Sequence, residues 1–369
     1  MTKRIHGGDA VKVGSKLGFK KGGLIDFSAN INPLGPSNKA VKKIKESIGE
    51  IIHYPDPECH ELREALKSIY PIKDDNLIFG NGASELIFIL MKVLNPGKVL
   101  IPAPTFIEYQ FAAESVGSQV LFLNMDHQKD FSIPLENLAK MAKSCDVLFL
   151  CNPNNPTGTL LNRAQVKEIA EISREKNLYL VLDEAFMDFL IQEEEYSFLF
   201  EEDALHNTFI LRSMTKFFAI PGLRLGWGSG PAEIIEKMHL SKDPWNVNSL
   251  AQAAGKESLL DENYIQQTRE YISQEKRYLY QELLRLKEVK PYFPSVNYIF
   301  VELKDRNITS GWLREVLSQK GALIRDCSNY PNLDSRFIRI AVRKREENEK
   351  FIEILKEVFE SLRRGVQPC

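Results

Sequence analysis

Between residues 75 and 230 the chain alternates short, unbroken apolar runs with longer stretches of helical periodicity. The runs are KVLI (98–101), QVLFL (119–123), DVLFL (146–150), LYLVL (178–182) and TFILR (208–212). They are rich in Val, Ile, Leu and Phe and lack polar alternation, as strands buried on both faces of a parallel sheet do. Between them, SELIFILMKVL (84–94) and AQVKEIAEISREK (164–176) carry apolar residues at the spacing of one helix face. This alternation predicts an α/β layer with a mainly parallel sheet. From 248 to 288 the pattern is charged and helical, without strands. Then NYIFVEL (297–303), GALI (321–324) and RFIRIAV (336–342) predict a smaller α+β unit. The first 35 residues, rich in Gly, Asn and Pro, fit neither pattern. The expected organisation is an N-terminal segment (1–35) crossing to the small domain, a large α/β domain (36–240) and a small C-terminal α+β domain (241–369).

Composition narrows the function classes. A chain of 369 residues accommodates two domains and buries a large core without staples. The formal net charge of −2 gives no electrostatic case for nucleic acid or an anionic membrane. The basic stretch KAVKKIKES (39–47) has apolar residues at helical spacing and reads as a solvated helix face. Cys59, Cys145, Cys151, Cys327 and Cys369 include no C-x-x-C pair, which argues against a disulfide framework or a structural zinc site and for a reducing compartment. The start, MTKRIHGGDA, lacks the apolar segment of a signal peptide, and no run of about 18 apolar residues occurs. The expectation is a cytoplasmic protein. No G-x-G-x-x-G opens a helix after a strand, which excludes a nicotinamide dinucleotide site.

In open α/β sheets ligands collect at the carboxyl ends of strands. DVLFL is followed by CNPNNPTG (151–158), LYLVL by DEAF (183–186), and TFILR by SMTK (213–216); LIFG (77–80) is followed by NGAS, opening a helix. Each has an ordinary reading. Asn, Pro and Gly form turns, Asp183, Ser213 and Thr215 are helix caps, Gly82 is turn chemistry, and Lys216 is a surface lysine. Their joint appearance at the strand ends of one sheet points elsewhere. Free N–H groups at Gly82, Ala83 and Ser84 make an anion site, to which Ser213, Thr215 and Arg224 add hydroxyl and guanidinium contacts. A buried aspartate holds a ring nitrogen protonated, and a desolvated lysine forms a Schiff base with an aldehyde. Phosphate, pyridinium and aldehyde together describe pyridoxal 5′-phosphate.

The set NPNNPTG, DEAF, SMTKFFAIPGLRLG and FIRIAVR resembles the fold-type I pyridoxal-phosphate enzymes, within them the histidinol-phosphate aminotransferase-like group, over nearly the whole chain. HGG (6–8), DFSANINPLGPS (26–37), AIPGLRLG (219–226), PWNVN (244–248) and NYPNLDSRFIRIAVR (329–343) further resemble the L-threonine-O-3-phosphate decarboxylases, which make (R)-1-amino-2-propanol O-2-phosphate for cobalamin. The resemblance implies a large cofactor-binding domain and a cofactor held by Lys216 through its aldehyde, Asp183 at the pyridinium and Asn155 at the phenolic oxygen. It implies Phe106 stacked on the ring and Gly82, Ala83, Ser213, Thr215 and Arg224 around the phosphate. Tyr54 matches a tyrosine that reaches the partner subunit's cofactor, which implies a homodimer. Arg339, with Arg325 as a second, matches the grip on a substrate anion. His6, Gly7 and Asn30 fall where the decarboxylases contact substrate, a phosphorylated amino acid.

One position departs from the aminotransferase pattern. Those enzymes usually read DEAY, with a tyrosine hydroxyl on the phenolic oxygen, and here the residue is Phe186. Decarboxylation is therefore the expected reaction, with histidinol-phosphate-type transamination as the alternative. A catalytically idle binding protein is a third reading, disfavoured because competent residues occupy every recognisable cofactor position.

Overall fold

The computed structural model describes residues 6–20 and 22–364. Seven strands form one sheet, in the order Leu77–Asn81, Leu225–Ser229, Thr208–Ser213, Tyr179–Asp183, Val147–Cys151, Lys98–Ala103 and Gln119–Asn124. The pairings from Thr208–Ser213 through Gln119–Asn124 are parallel, and Leu225–Ser229 runs antiparallel to both its neighbours. Successive side chains enter two separate cores. Leu100, Leu148, Leu180 and Ile210 pack on one face, and Val99, Phe149, Val181 and Phe209 on the other. Both faces are dry, so the runs are unbroken in the sequence. Each such side chain contributes about 1.5–3 kcal/mol of burial.

Leu225–Ser229 is a strand that the periodicity does not mark, because its sequence LGWGS carries two glycines. Those glycines are required by close approach. A Cβ at Gly226 would lie 2.3 Å from the Ala83 backbone nitrogen, and one at Gly228 would lie 2.2 Å from the Phe209 ring. The helix Ala83–Leu94 is thereby drawn down onto the sheet.

A second, four-stranded antiparallel sheet has the order Arg325–Asp326, Phe337–Ala341, Tyr298–Leu303 and Val289–Pro291. The run GALI, expected as a strand, holds the short strand Ala322–Leu323, which pairs in parallel with Ile25–Asp26 outside the four-stranded sheet. Beyond Ile324 a separate strand, Arg325–Asp326, joins the four-stranded sheet. From Ile25–Asp26 the N-terminal segment continues to the large sheet, where the Asn32 N–H donates to the Lys216 carbonyl at 3.0 Å. In chain order the helices Ser249–Leu259 and Glu262–Leu284 come between the strands of the two sheets, the first capped by Asn248, whose side chain accepts from Ala251 N–H. Cys59, Cys145, Cys151 and Cys327 are all buried and unpaired. Among the described residues, no helix is long and apolar enough to cross a membrane.

Candidate active site

Cys151, Asp183 and Ser213 are each the last residue of a parallel strand, and Cys151 pairs in register with Asp183. Beyond this edge opens a cavity. The N-terminal residues His6, Gly7 and Asn30 line it, as do Ala83, Phe106 and Asn155. So do Asp183, Ser213, Thr215, Lys216 and Arg224, and from the smaller sheet Arg325 and Arg339. Two sequence candidates fall outside the lining. Gly82 sits one residue before it, at the N-cap of helix Ala83–Leu94. Tyr54 is 79% exposed and stacks on Trp245 with ring centroids 4.5 Å apart.

Lys216 is half-buried at the cavity, and its amine is pushed down to about 8 by desolvation, then by Arg339 and Arg224. The phenylalanines that follow it turn the other way, into the main core. The lysine therefore faces the cavity while Phe217 and Phe218 anchor its backbone. Asn32 completes the anchor. Its amide donates to the Phe217 carbonyl at 2.9 Å and reaches Tyr264 and Thr268 of the long helix at 2.8 and 3.0 Å. Asn30 of this motif is legible in the sequence as a substrate contact, whereas Asn32 is not, because its partners lie more than 180 residues away.

At the cavity floor the Ser213 and Thr215 hydroxyls are 2.8 Å apart. Gly82 has φ +83° and ψ 153°, and a Cβ there would lie 2.4 Å from an Arg224 guanidinium nitrogen. A helix N-terminus, two hydroxyls and a guanidinium packed under a glycine form a cradle suited to a phosphate.

Asp183 is buried, and burial pushes its carboxyl up. The Tyr109 hydroxyl, donating at 2.5 Å, and the Ala185 N–H, at 2.9 Å, hold it back. Tyr109 is a second residue the sequence did not single out, since a tyrosine in the first turn of helix Glu108–Ser115 reads as core. Phe106 meets the Tyr109 ring edge-on, with centroids 5.5 Å apart.

The opposite wall is cationic. Arg325 and Arg339 are cross-strand partners. Arg339 donates to the Ser28 carbonyl at 2.8 Å and to Asn155 Oδ1, and its guanidinium lies over the Tyr298 ring. Its Nε is buried without a partner, and among the described residues no carboxylate pairs with it. Arg325 donates to Asn329 Oδ1 at 2.7 Å and stacks on Tyr330, which also lines the cavity. Asn30 Oδ1 is buried and unpartnered as well. Buried polar groups of this kind are costly without a ligand. His6 lies at the rim, with Nε2 2.9 Å from Glu108 Oε1. Gly7 passes so close to Ser28 that a Cβ would fall 2.1 Å from its carbonyl oxygen.

Behind the strand ends, on the far face of the sheet, Arg212 is fully buried. It contacts Glu184 at 2.9 Å, Glu193 at 2.8 Å and Asp188 at 3.3 Å. Arg212 and Glu184 are the chain neighbours of Ser213 and Asp183, so this cluster braces two cavity residues from behind.

Sheet order, a lysine and an aspartate at adjacent strand ends, and an arginine wall from a second sheet define a class. Residues 23–355 match the aminotransferase class I and II family, and the chain belongs to it. It is 34% identical to the threonine-phosphate decarboxylase of Salmonella typhimurium, over 96% of both chains. Among solved structures it resembles the histidinol-phosphate aminotransferase of Clostridium acetobutylicum, with TM-score 0.85 and 32% identity over 92% of this chain and 100% of that one. It also resembles the L-threonine-O-3-phosphate decarboxylase of Porphyromonas gingivalis, with TM-score 0.78 and 25% identity over 90% and 99%.

Proposed function

We propose that this chain is a pyridoxal 5′-phosphate-dependent decarboxylase that converts L-threonine O-3-phosphate to (R)-1-amino-2-propanol O-2-phosphate in cobalamin biosynthesis. The observation that carries the substrate class is the buried Arg339 guanidinium, without a carboxylate and beside Arg325. With Arg224 at the cofactor phosphate, Arg339 faces the substrate from the smaller sheet and Arg325 stands beside it as its cross-strand partner. A phosphorylated amino acid brings a carboxylate and a phosphate, two anionic groups for a cationic wall. The full-length relationship to a threonine-phosphate decarboxylase supports the same reading.

The residues present fit the cofactor. Ala83, Ser213, Thr215 and Arg224 suit its phosphate, Asp183 its ring nitrogen, Asn155 its phenolic oxygen and Phe106 its ring face. Bound there, pyridoxal 5′-phosphate supplies an aldehyde that takes up an amine and a protonated ring that accepts an electron pair. The protein's part is placement. Arg339 and Arg325 hold the substrate's carboxylate and phosphate, which decides which bond at Cα stands perpendicular to the ring, and such orientation is worth several kcal/mol. Phe186 fills its place with an apolar ring, packed edge-on against Tyr298. Lys216, pushed down to about 8, accepts and returns protons near neutral pH.

The test is CO₂ release from O-phospho-L-threonine without any keto acid, expected over many turnovers. A single conversion to pyridoxamine phosphate, restarted by 2-oxoglutarate, would make the chain an aminotransferase, the reading favoured by its closeness to the Clostridium acetobutylicum fold. A second expectation concerns the cradle. Gly82→Ala places a Cβ against Arg224 in a backbone region that only glycine enters easily, a strain of about 1–3 kcal/mol. Cofactor affinity, read by titrating the cofactor-free protein, should weaken about 10- to 100-fold. An unchanged affinity would remove Gly82 from the cradle.

The same reading extends to assembly and location. Ile51, Ile52 and Tyr54 are 62%, 80% and 79% exposed, an apolar surface that supports a homodimer in which Tyr54 serves the partner's cavity. We further assign the chain to the cytoplasm and its described residues to a large domain (36–240), a small domain (241–364) and a crossing segment (6–20 and 22–35). Residues 1–5, 21 and 365–369 of the expected spans lie outside the described residues.

A further inference from the structure

Both oxygens of the Asp183 carboxylate are engaged within the protein. Oδ1 accepts the Ala185 N–H at 2.9 Å and Oδ2 accepts the Tyr109 hydroxyl at 2.5 Å. The second contact spans 74 residues and is held rigidly. The Tyr109 ring is fully buried and lies parallel to Phe149, at 4.6 Å and 9°, while Phe106 closes its edge at 81°. A phenol clamped between two rings has little freedom to turn elsewhere. Its neighbour Cys151 is no rival base. Burial, then Asp183, pushes that thiol up to about 12. The Tyr109 phenol is itself pushed up by burial and then by Asp183, so it remains a donor.

These contacts bear on one proton. A carboxylate in a dry pocket is a stronger base than in water, because burial penalises its charge. Opposite a pyridine nitrogen it tends to take the proton for itself, leaving the ring neutral and a poor acceptor of electrons. Donors to the carboxylate reverse that preference, since they stabilise the charged form. We propose that Tyr109 is a positioning residue of the reaction: its hydroxyl aims the Asp183 carboxylate and keeps it a weak enough base for the proton to stay on the cofactor ring. This rests on the reading of the cavity as a pyridoxal 5′-phosphate site. No bond forms or breaks at Tyr109, and its own proton stays on oxygen.

The experiment loads the full-length protein and its Tyr109→Phe variant with pyridoxal 5′-phosphate labelled with ¹⁵N in the ring, without substrate. The ring nitrogen should resonate as protonated in the parent and shift toward neutral pyridine in Tyr109→Phe. The variant's kcat should fall about 10- to 100-fold, the range for a hydrogen bond to a charged group, with KM within about 2-fold. Phenylalanine preserves both ring contacts, so a purely structural role would leave the nitrogen signal where it was. Replacement of Tyr109 by 3-fluorotyrosine, a stronger donor of nearly the same size, should keep the nitrogen protonated and activity near the parent's. A nitrogen still protonated in Tyr109→Phe, a kcat within about 2-fold of the parent, or deprotonation in the fluorotyrosine protein overturns the proposal. The nitrogen measurement needs no turnover. A parent that holds the cofactor without releasing CO₂ therefore refutes the decarboxylase reading alone, whereas a parent that fails to hold it refutes both.

Discussion

Lys216→Met should abolish CO₂ release, by at least about 10⁴-fold, while the protein folds more stably without cofactor than the parent does. Methionine keeps the length and volume of the lysine stem and removes the amine. The stability gain follows from where the amine sits. Burial, then Arg339 and Arg224, pushes it from 10.5 down to about 8. The folded state therefore binds the proton less tightly than the unfolded chain does. Below pH 8 both states are protonated and the full penalty applies, on the order of 3 kcal/mol at about 1.4 kcal/mol per unit. As pH rises from 8 toward 10.5 the penalty fades. The melting temperature of cofactor-free Lys216→Met should thus exceed the parent's at pH 7, and the gap should narrow by pH 10. For the same reason the parent's covalent capture of pyridoxal 5′-phosphate should quicken between pH 7 and 9, as the amine loses its proton. Residual CO₂ release above about 1% of the parent's would show that another group does the work assigned to Lys216.

The largest expected loss of stability is at Arg212. This arginine is inside the sheet layer, against Glu184, Glu193 and Asp188 and beneath the rings of Tyr70 and Trp227. Arg269 supplies the second guanidinium of the cluster, 2.7 Å from Glu193. The balance of charge shows in the acids. Burial pushes Asp188 up to about 6 despite Arg212, whereas Arg212 and Arg269 together outweigh burial at Glu193 and draw it down. Arg212→Leu leaves three buried carboxylates facing one guanidinium. Breaking a buried pair in this way costs about 3–5 kcal/mol, because the abandoned charge stays desolvated. Unfolding in urea should begin at markedly lower concentration, and cofactor affinity should fall too, since Ser213 and Asp183 are the immediate neighbours of Arg212 and Glu184. A variant within about 1 kcal/mol of the parent would mean that the cluster relaxes or takes up protons, and that it does not brace the cavity.

Much of the large sheet was legible in the chain because its strands are buried on both faces. Where both sides are dry the polar alternation disappears, and KVLI, DVLFL, LYLVL and TFILR stand out as unbroken runs. Asp183, Ser213 and Lys216 could be singled out for a related reason: polar residues that follow such a run must lie at the sheet edge, where α/β proteins bind ligands. Leu225–Ser229 was illegible because its glycines answer to the atoms of Ala83 and Phe209, and those needs are invisible along the chain. GALI stands out as a strand, but an apolar run does not record that its partner is Ile25–Asp26, nor that Arg325–Asp326 just beyond it pairs with Phe337–Ala341 instead. Arg212 looked like the polar end of a strand, and nothing local distinguishes a solvated arginine from one at the centre of an ion cluster.

By itself the sequence determined the fold class, the residues available at each strand end and the kind of chemistry they permit, since these follow from periodicity and covalent order. Only the tertiary structure decided which of them meet. It set the Tyr109 hydroxyl on Asp183, the Asn32 amide under Lys216, and Arg339 against a carbonyl 311 residues away. Such contacts depend on how helices, strands and the N-terminal segment pack through space, and an interaction between residues so far apart leaves no repeat or spacing in the chain from which to read it.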